Sequence, residues 1–195
     1  AVESTLKKAL ARDVTIDDVL KMDEPYYYRN KLQYPIGIAE DGSPVMGVFA
    51  ERTHRIIPTL ECKIQDKKSQ IIANDVFEFV KENKISVYNE TTKQGFIRHI
   101  IIRNSEKTKE VMVIIVTNGE KFDKKDRVID EITTRNPEIK SIIQNVNMKV
   151  TNVILGEKDI LLYGKDRITD YIGKLKFEIS AHSFFQVSLK QTENL

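Results

Sequence analysis

Apolar and polar positions alternate with period two along Tyr26 to Ile38. Tyr28, Asn30, Leu32 and Tyr34 fall on one side, and Arg29, Lys31 and Gln33 on the other. That period belongs to a half-buried strand. Asp41-Gly42-Ser43-Pro44 is turn chemistry, and Val45 to Phe49 returns as the hairpin partner. The period becomes helical between Asp66 and Asn83, where Ile71, Ile72, Val76, Phe79 and Val80 recur with charges opposite. Gly95 to Arg103 and Glu110 to Thr117 predict two more strands. Lys124 to Thr134 predicts a helix stopped ahead of Pro137, and Ile139 to Val146 a further strand. Leu6, Leu10 and Ala11 predict a short N-terminal helix, and residues 13–20 a second, with Thr15 as N-cap. Four short runs follow: Val153 to Leu155, Ile160 to Tyr163, Arg167 to Ile172 and Lys174 to Ile179. Their spacing predicts an antiparallel meander. The order implies an α+β fold: a mainly antiparallel sheet, helices packed on one face, and a C-terminal β-meander.

Composition narrows the function classes. Thirty-one basic residues against 29 acidic ones leave a net charge of +2, too balanced for charge alone to announce a nucleic-acid binder. Any such surface must be a local patch. No apolar run approaches the ~20 residues that span a bilayer, so a membrane role is not expected. The N-terminus has no signal-peptide core. One Cys excludes an internal disulfide framework and a complete Cys-based metal site, and fits a reducing cytoplasm. No glycine motif opens a helix to cradle phosphate.

The candidate chemistry is dispersed. His54, His99 and His182 lie far apart with no helical His partner, which argues against metal ligation. Arg29 and Lys31 share a strand face, where they could follow a phosphate backbone or simply be exposed charges. Arg98 and His99 sit inside an apolar strand. Strict alternation puts Arg98 with Ile100 and Ile102, and His99 with Ile101 and Arg103. A buried Arg98 needs a partner, either a carboxylate of this chain or a ligand. Phe184 and Phe185 are core aromatics or a stacking platform, and the adjacent Gln186 favours a site. Cys62, just before a helix, reads on residue statistics as a buried thiol.

Taken in order, several segments resemble the SAM-dependent RNA uracil-C5 methyltransferases, the bacterial rRNA and tRNA 5-methyluridine enzymes. They are Tyr28-Arg29-Asn30-Lys31; His54 then Cys62; Gly95-Phe96-Ile97-Arg98-His99 with Arg103; Val116-Thr117-Asn118-Gly119; Ser141 to Asn147; Ile154-Leu155-Gly156; and Ser183-Phe184-Phe185-Gln186-Val187 with Gln191-Thr192-Glu193. The ordered set covers nearly everything after Pro25. Ser188 departs from the family's usual Asn. The resemblance implies three parts: residues 1–24 as a helical remnant after a missing iron-sulfur segment, 25–180 as a central RNA-binding domain, and 181–195 as the start of a missing SAM-dependent methyltransferase domain. On this reading the chain is a fragment, inactive alone, of an enzyme that moves a methyl group from SAM to C5 of a uridine. A Cys nucleophile adds at C6, and a base takes the C5 proton. The implied RNA is 23S rRNA, with tRNA as the other candidate; the enzyme is expected to be a cytoplasmic monomer.

The resemblance also assigns residues. Gln186 matches a SAM contact. Cys62 matches the fourth ligand of a [4Fe-4S] cluster, which this chain could hold only incompletely. Arg29, Lys31, Arg98, His99, Phe184 and Phe185 are the RNA-binding candidates. Two alternatives compete: a stand-alone RNA-binding module without catalysis, and a ferredoxin-like domain that binds a small regulatory molecule.

Overall fold

The computed structural model describes residues 2–59 and 61–195. Ala1, which opens the expected segment 1–24, and Leu60, which precedes Glu61-Cys62, lie outside them. Seven strands form one sheet: β1 (Lys31–Ile38), β2 (Pro44–Phe49), β3 (Ile56–Pro58), β4 (Ile97–Asn104), β5 (Val111–Thr117), β6 (Ile139–Val146) and β7 (Lys158–Gly164). Their spatial order is β3-β2-β1-β4-β5-β6-β7. Every neighbouring pair is antiparallel except β5 and β6, which run parallel. A parallel pair needs a crossover, and α3 (Lys125–Arg135) supplies it. The sheet edges are blunted, β3 by its brevity and β7 by the charges of Lys158 and Asp159.

Both faces of the central strands are covered, which explains why β4 and β5 read as continuous apolar runs. On one face, Leu32, Tyr34, Ile100, Ile102 and Val113 pack under α2 (Lys67–Glu82) and α3. Asp66 starts α2 as its N-cap, its carboxylate accepting from the Ser69 amide at 2.8 Å. Phe77 and Ala73, not Ile71, complete the buried face of that helix; Ile71 is half exposed. On the other face, Ile101, Met112, Ile114 and Ile143 are covered by a hairpin, β8 (Ile168–Ile172) and β9 (Leu175–Ile179), and by the segment after it. The architecture is α+β, with α2 and α3 on one face of a mostly antiparallel sheet and α4 (Leu189–Asn194) against the hairpin that covers the other.

The expected meander divides. Only β8 and β9 form a separate hairpin, while Ile160 to Tyr163 joins the main sheet as the centre of β7. Residues 153–155 form no strand, because side-chain amides replace the ladder there. Asn147 Nδ2 donates to the Val153 and Ile154 carbonyls at 2.7 and 2.9 Å. Asn145 exchanges bonds with the backbone of Gly156.

The first expected helix exists as α1 (Val2–Leu10), which buries no residue. The second, at residues 13–20, does not form, and Thr15 caps nothing. Its Val, Ile, Thr and Asp content is weak in helix propensity, and Val19 and Leu20 find no surface to cover. Helix α4 (Leu189–Asn194) ends the chain and buries Leu189 against the domain. Among the described residues, no helix is long and apolar enough to cross a membrane.

Candidate nucleic-acid interface

Strands β1 and β4 present two chemically different faces. Leu32, Tyr34, Ile100 and Ile102 point to the helices. The alternate positions put Lys31 opposite Arg103 and Pro35 opposite His99 in the ladder. The β8–β9 hairpin covers this second face over β5, β6 and Ile101 of β4, and the polar residues of β1 and β4 lie to either side of Ile101.

A β-bulge changes the expected alternation. Ile97 pairs with Thr117 and His99 with Val116, which leaves Arg98 as an extra residue. An inserted residue resets the period of two. Ile97 and Ile100 therefore both face the helices, and Arg98 joins His99 on the opposite side rather than Ile100 and Ile102. Gly95 opens this stretch with φ +105°, so near its neighbour that a Cβ would lie 2.0 Å from the Val87 carbonyl oxygen.

At one end of the polar face sit Arg29, Lys31 and Arg103. Arg103 is buried, and its Nη2 donates to the carbonyls of Ala181 and Ser183 at 3.1 and 2.6 Å. Arg29 Nε donates to the Lys31 carbonyl at 3.1 Å. Burial, then the charge of Arg103, then that of Arg29 hold the Lys31 ammonium below its ordinary pKa. Among the described residues, no ion pair joins any of the three to a carboxylate. Like charges opposed across strands destabilise a sheet, and an anion on this face relieves them.

The C-terminal segment borders this cluster. Asn30 Nδ2 donates to the Gln186 carbonyl at 2.9 Å, and the Asn30 amide donates to the Val187 carbonyl at 3.0 Å. The two phenylalanines separate. Phe185 is partly buried, its ring 5.5 Å from that of Phe177 in the second core. Phe184 is 86% exposed. Phe184 is thus the free aromatic face, and Phe185 anchors the segment from below. The Gln186 side chain faces solvent. It supplies one amide and no enclosing walls, so the described residues do not by themselves form a SAM site.

At the other end of β4 the bulge delivers Arg98 and His99 to a groove. Arg98 is buried, and its partners are not the expected carboxylate. Its Nη1 donates to the Asn147 and Lys149 carbonyls at 2.7 and 2.9 Å, and its guanidinium lies 4.3 Å over the Tyr88 ring. His99 is buried beside it. Burial and then the neighbouring Arg98 push its pKa down to about 4, so it is neutral near pH 7. The Phe49 ring stands edge-on to two imidazoles, 5.7 Å from His54 and 6.4 Å from His99. Two histidines far apart in sequence thus flank one phenylalanine ring, His99 from β4 and His54 from the loop after β2. Sequence reading missed Phe49, Arg52, which lines the same groove, and the ring that His54 and His99 share. Only the pairing of β1 with both β2 and β4 brings these residues together, and no local spacing encodes it.

Cys62 is half-buried and free, its amide donating to the Gln70 side chain at 2.6 Å. Among the described residues, no group of three or more metal-ligating side chains surrounds it or occurs elsewhere. A single thiol does not fit a [4Fe-4S] cluster, and these residues alone cannot hold one.

No protein-family model matches the chain. It is 43% identical over 194 residues to an uncharacterized RNA methyltransferase of Clostridium tetani, covering 97% of this chain and 42% of that protein. It is 46% identical over 182 residues to an uncharacterized RNA methyltransferase of Clostridium acetobutylicum, covering 93% of this chain and 39% of that protein. The chain thus spans about two fifths of the length of the curated relatives it matches. Its fold is similar to the crystal structure of Pyrococcus abyssi tRNA (uracil-54, C5)-methyltransferase in complex with S-adenosyl-L-homocysteine. The TM-score is 0.76 at 28% identity, covering 98% of this chain and 44% of that one.

Proposed function

The chain is a homologue of the RNA methyltransferases, and on that premise we propose that it is the RNA-holding domain of a uracil-C5 methyltransferase. The observation that carries this reading is the basic end of the polar sheet face. Among the described residues, Arg29, Lys31 and Arg103 stand without carboxylate partners next to the exposed Phe184 ring and the Gln186 amide. Cations that are already partly desolvated lose little further hydration when they meet phosphate. A free ring beside them stacks a base that has left its own stack. Phosphate contacts position the RNA, and Phe184 and Gln186 meet a base at the border where the rest of the enzyme would act.

The methyl donor would be SAM, which supplies an electrophilic methyl group when bound. In the overall reaction that methyl joins C5 of uridine, and the C5 proton leaves. The residues of this chain orient the RNA and present one amide to the reacting region. 23S rRNA is the substrate implied by the sequence resemblance, and tRNA is the one named for the Pyrococcus neighbour. Assays on both transcripts separate them. Assigning Cys62 to an iron-sulfur cluster rests on resemblance alone, and no step is routed through it.

Salt-dependent RNA binding tests the basic end. In the protein expressed from its complete gene, Lys31→Ala or Arg29→Ala weakens binding to a folded transcript. Each lowers the slope of log affinity against log salt by about 1, as removal of one phosphate contact requires. Unchanged slopes in both variants would remove this face from the RNA site.

A further inference from the structure

We propose that the groove around Phe49, His54 and His99 is a second RNA subsite that receives a single unstacked nucleobase. The inference rests on the reading of this sheet face as an RNA surface. Two adjoining cavities of about 290 and 410 Å³ share Phe49, His54, Glu90, Arg98 and His99 as walls. The larger falls within the 300–1,000 Å³ or so typical of small-molecule sites.

His99 is the telling residue. It is 5% exposed, yet among the described residues neither Nδ1 nor Nε2 has a hydrogen-bond partner. A buried polar group left unpaired is costly, and native structures rarely tolerate two on one ring. A neutral imidazole offers one donor and one acceptor. The edge of a nucleobase offers the complementary pair.

The surroundings favour a base over a bare anion. Nη1 of Arg98 is committed to two backbone carbonyls, and its guanidinium lies over the Tyr88 ring. Glu90, the carboxylate on the wall, is already paired with Lys93 at 3.2 Å. The Phe49 ring is 37% exposed and His54 is exposed, giving flat faces for stacking. Arg52 and Arg55 are exposed on the loop between β2 and β3, where they can meet the attached phosphate. Continuity points to RNA as the source of the base. His99 lies four ladder positions from Arg103 on the same strand, roughly 14 Å from the basic end. One folded RNA can span both.

The test uses protein from its complete gene and transcripts of tRNA and 23S rRNA fragments containing 4-thiouridine. After irradiation, cross-linked peptides are mapped by mass spectrometry, and affinities are measured for wild type, Phe49→Ala and the exposed His54→Ala. The expected result is cross-linking to peptides containing residues 49–54 and a roughly 5- to 150-fold loss of affinity in a variant that removes the stacking face. Uridine monophosphate in the same experiment should compete poorly. The groove is overturned if transcripts bind and Lys31→Ala weakens them, while both groove variants keep wild-type affinity and cross-links avoid residues 49–54. Occupancy by the free nucleotide without any RNA cross-link also overturns it. Failure of the wild-type protein to bind any transcript overturns both this subsite and the RNA surface it rests on.

Discussion

Arg98→Ala is expected to cost roughly 3–5 kcal/mol and to loosen the β4–β6 end of the sheet. Nη1 of Arg98 alone donates to two carbonyls, those of Asn147 and Lys149. Bonds from a charged donor contribute more than neutral ones, and truncation leaves both acceptors and the Tyr88 face uncovered. The damage should spread, because Asn147 also holds residues 153 and 154 through its side chain. Domains are stable by only about 5–15 kcal/mol, so this loss approaches unfolding. Arg98→Lys should fall between, since one ammonium can donate to both carbonyls but has no planar face to lay over the Tyr88 ring. Amide hydrogen exchange reads the effect: protection in β4, β6 and residues 147–156 drops sharply. A well-folded Arg98→Ala protein with weakened RNA binding would instead make Arg98 a direct RNA contact.

Acid should destabilise the fold through His99. Its pKa falls from 6.5 to about 4 on folding, chiefly through burial and secondarily through Arg98. The unfolded chain therefore binds the proton first as pH falls below 6.5, and stability drops between about 6.5 and 4. Below the folded pKa both states carry the proton and the loss levels off. The drop from this residue amounts to about 2 kcal/mol by pH 5 and about 3 kcal/mol in full. Urea unfolding midpoints measured at neutral pH and at pH 5 report it. His99→Leu should flatten that difference relative to wild type; an equal acid loss in both proteins would assign the effect to other groups.

Much of the architecture was legible because its signals are local. The hairpin announced itself through alternation and an Asp-Gly turn, and α2 through its helical stripe. The bulge at Arg98 was not legible, since one inserted residue leaves an apolar strand looking apolar while it moves a cation to the other face. The extended run 153–155 is apolar enough for a strand, but side chains of Asn145 and Asn147 satisfy that backbone instead. Phe184 and Phe185 are chemically identical in the sequence, and only packing against Phe177 distinguishes the anchor from the free ring. Arg29 and Lys31 were readable as one face, whereas Arg103, which completes their cluster, required the β1–β4 register.

Methyl transfer is the most direct test of the account. The protein from its complete gene, purified without oxygen, is incubated with methyl-labelled SAM and with tRNA or 23S rRNA transcripts, and the RNA is digested to nucleosides. The account predicts label in 5-methyluridine, with the rate at low RNA concentration reduced by Lys31→Ala. Label in another nucleoside, or none in either RNA while the transcripts still bind, would contradict it.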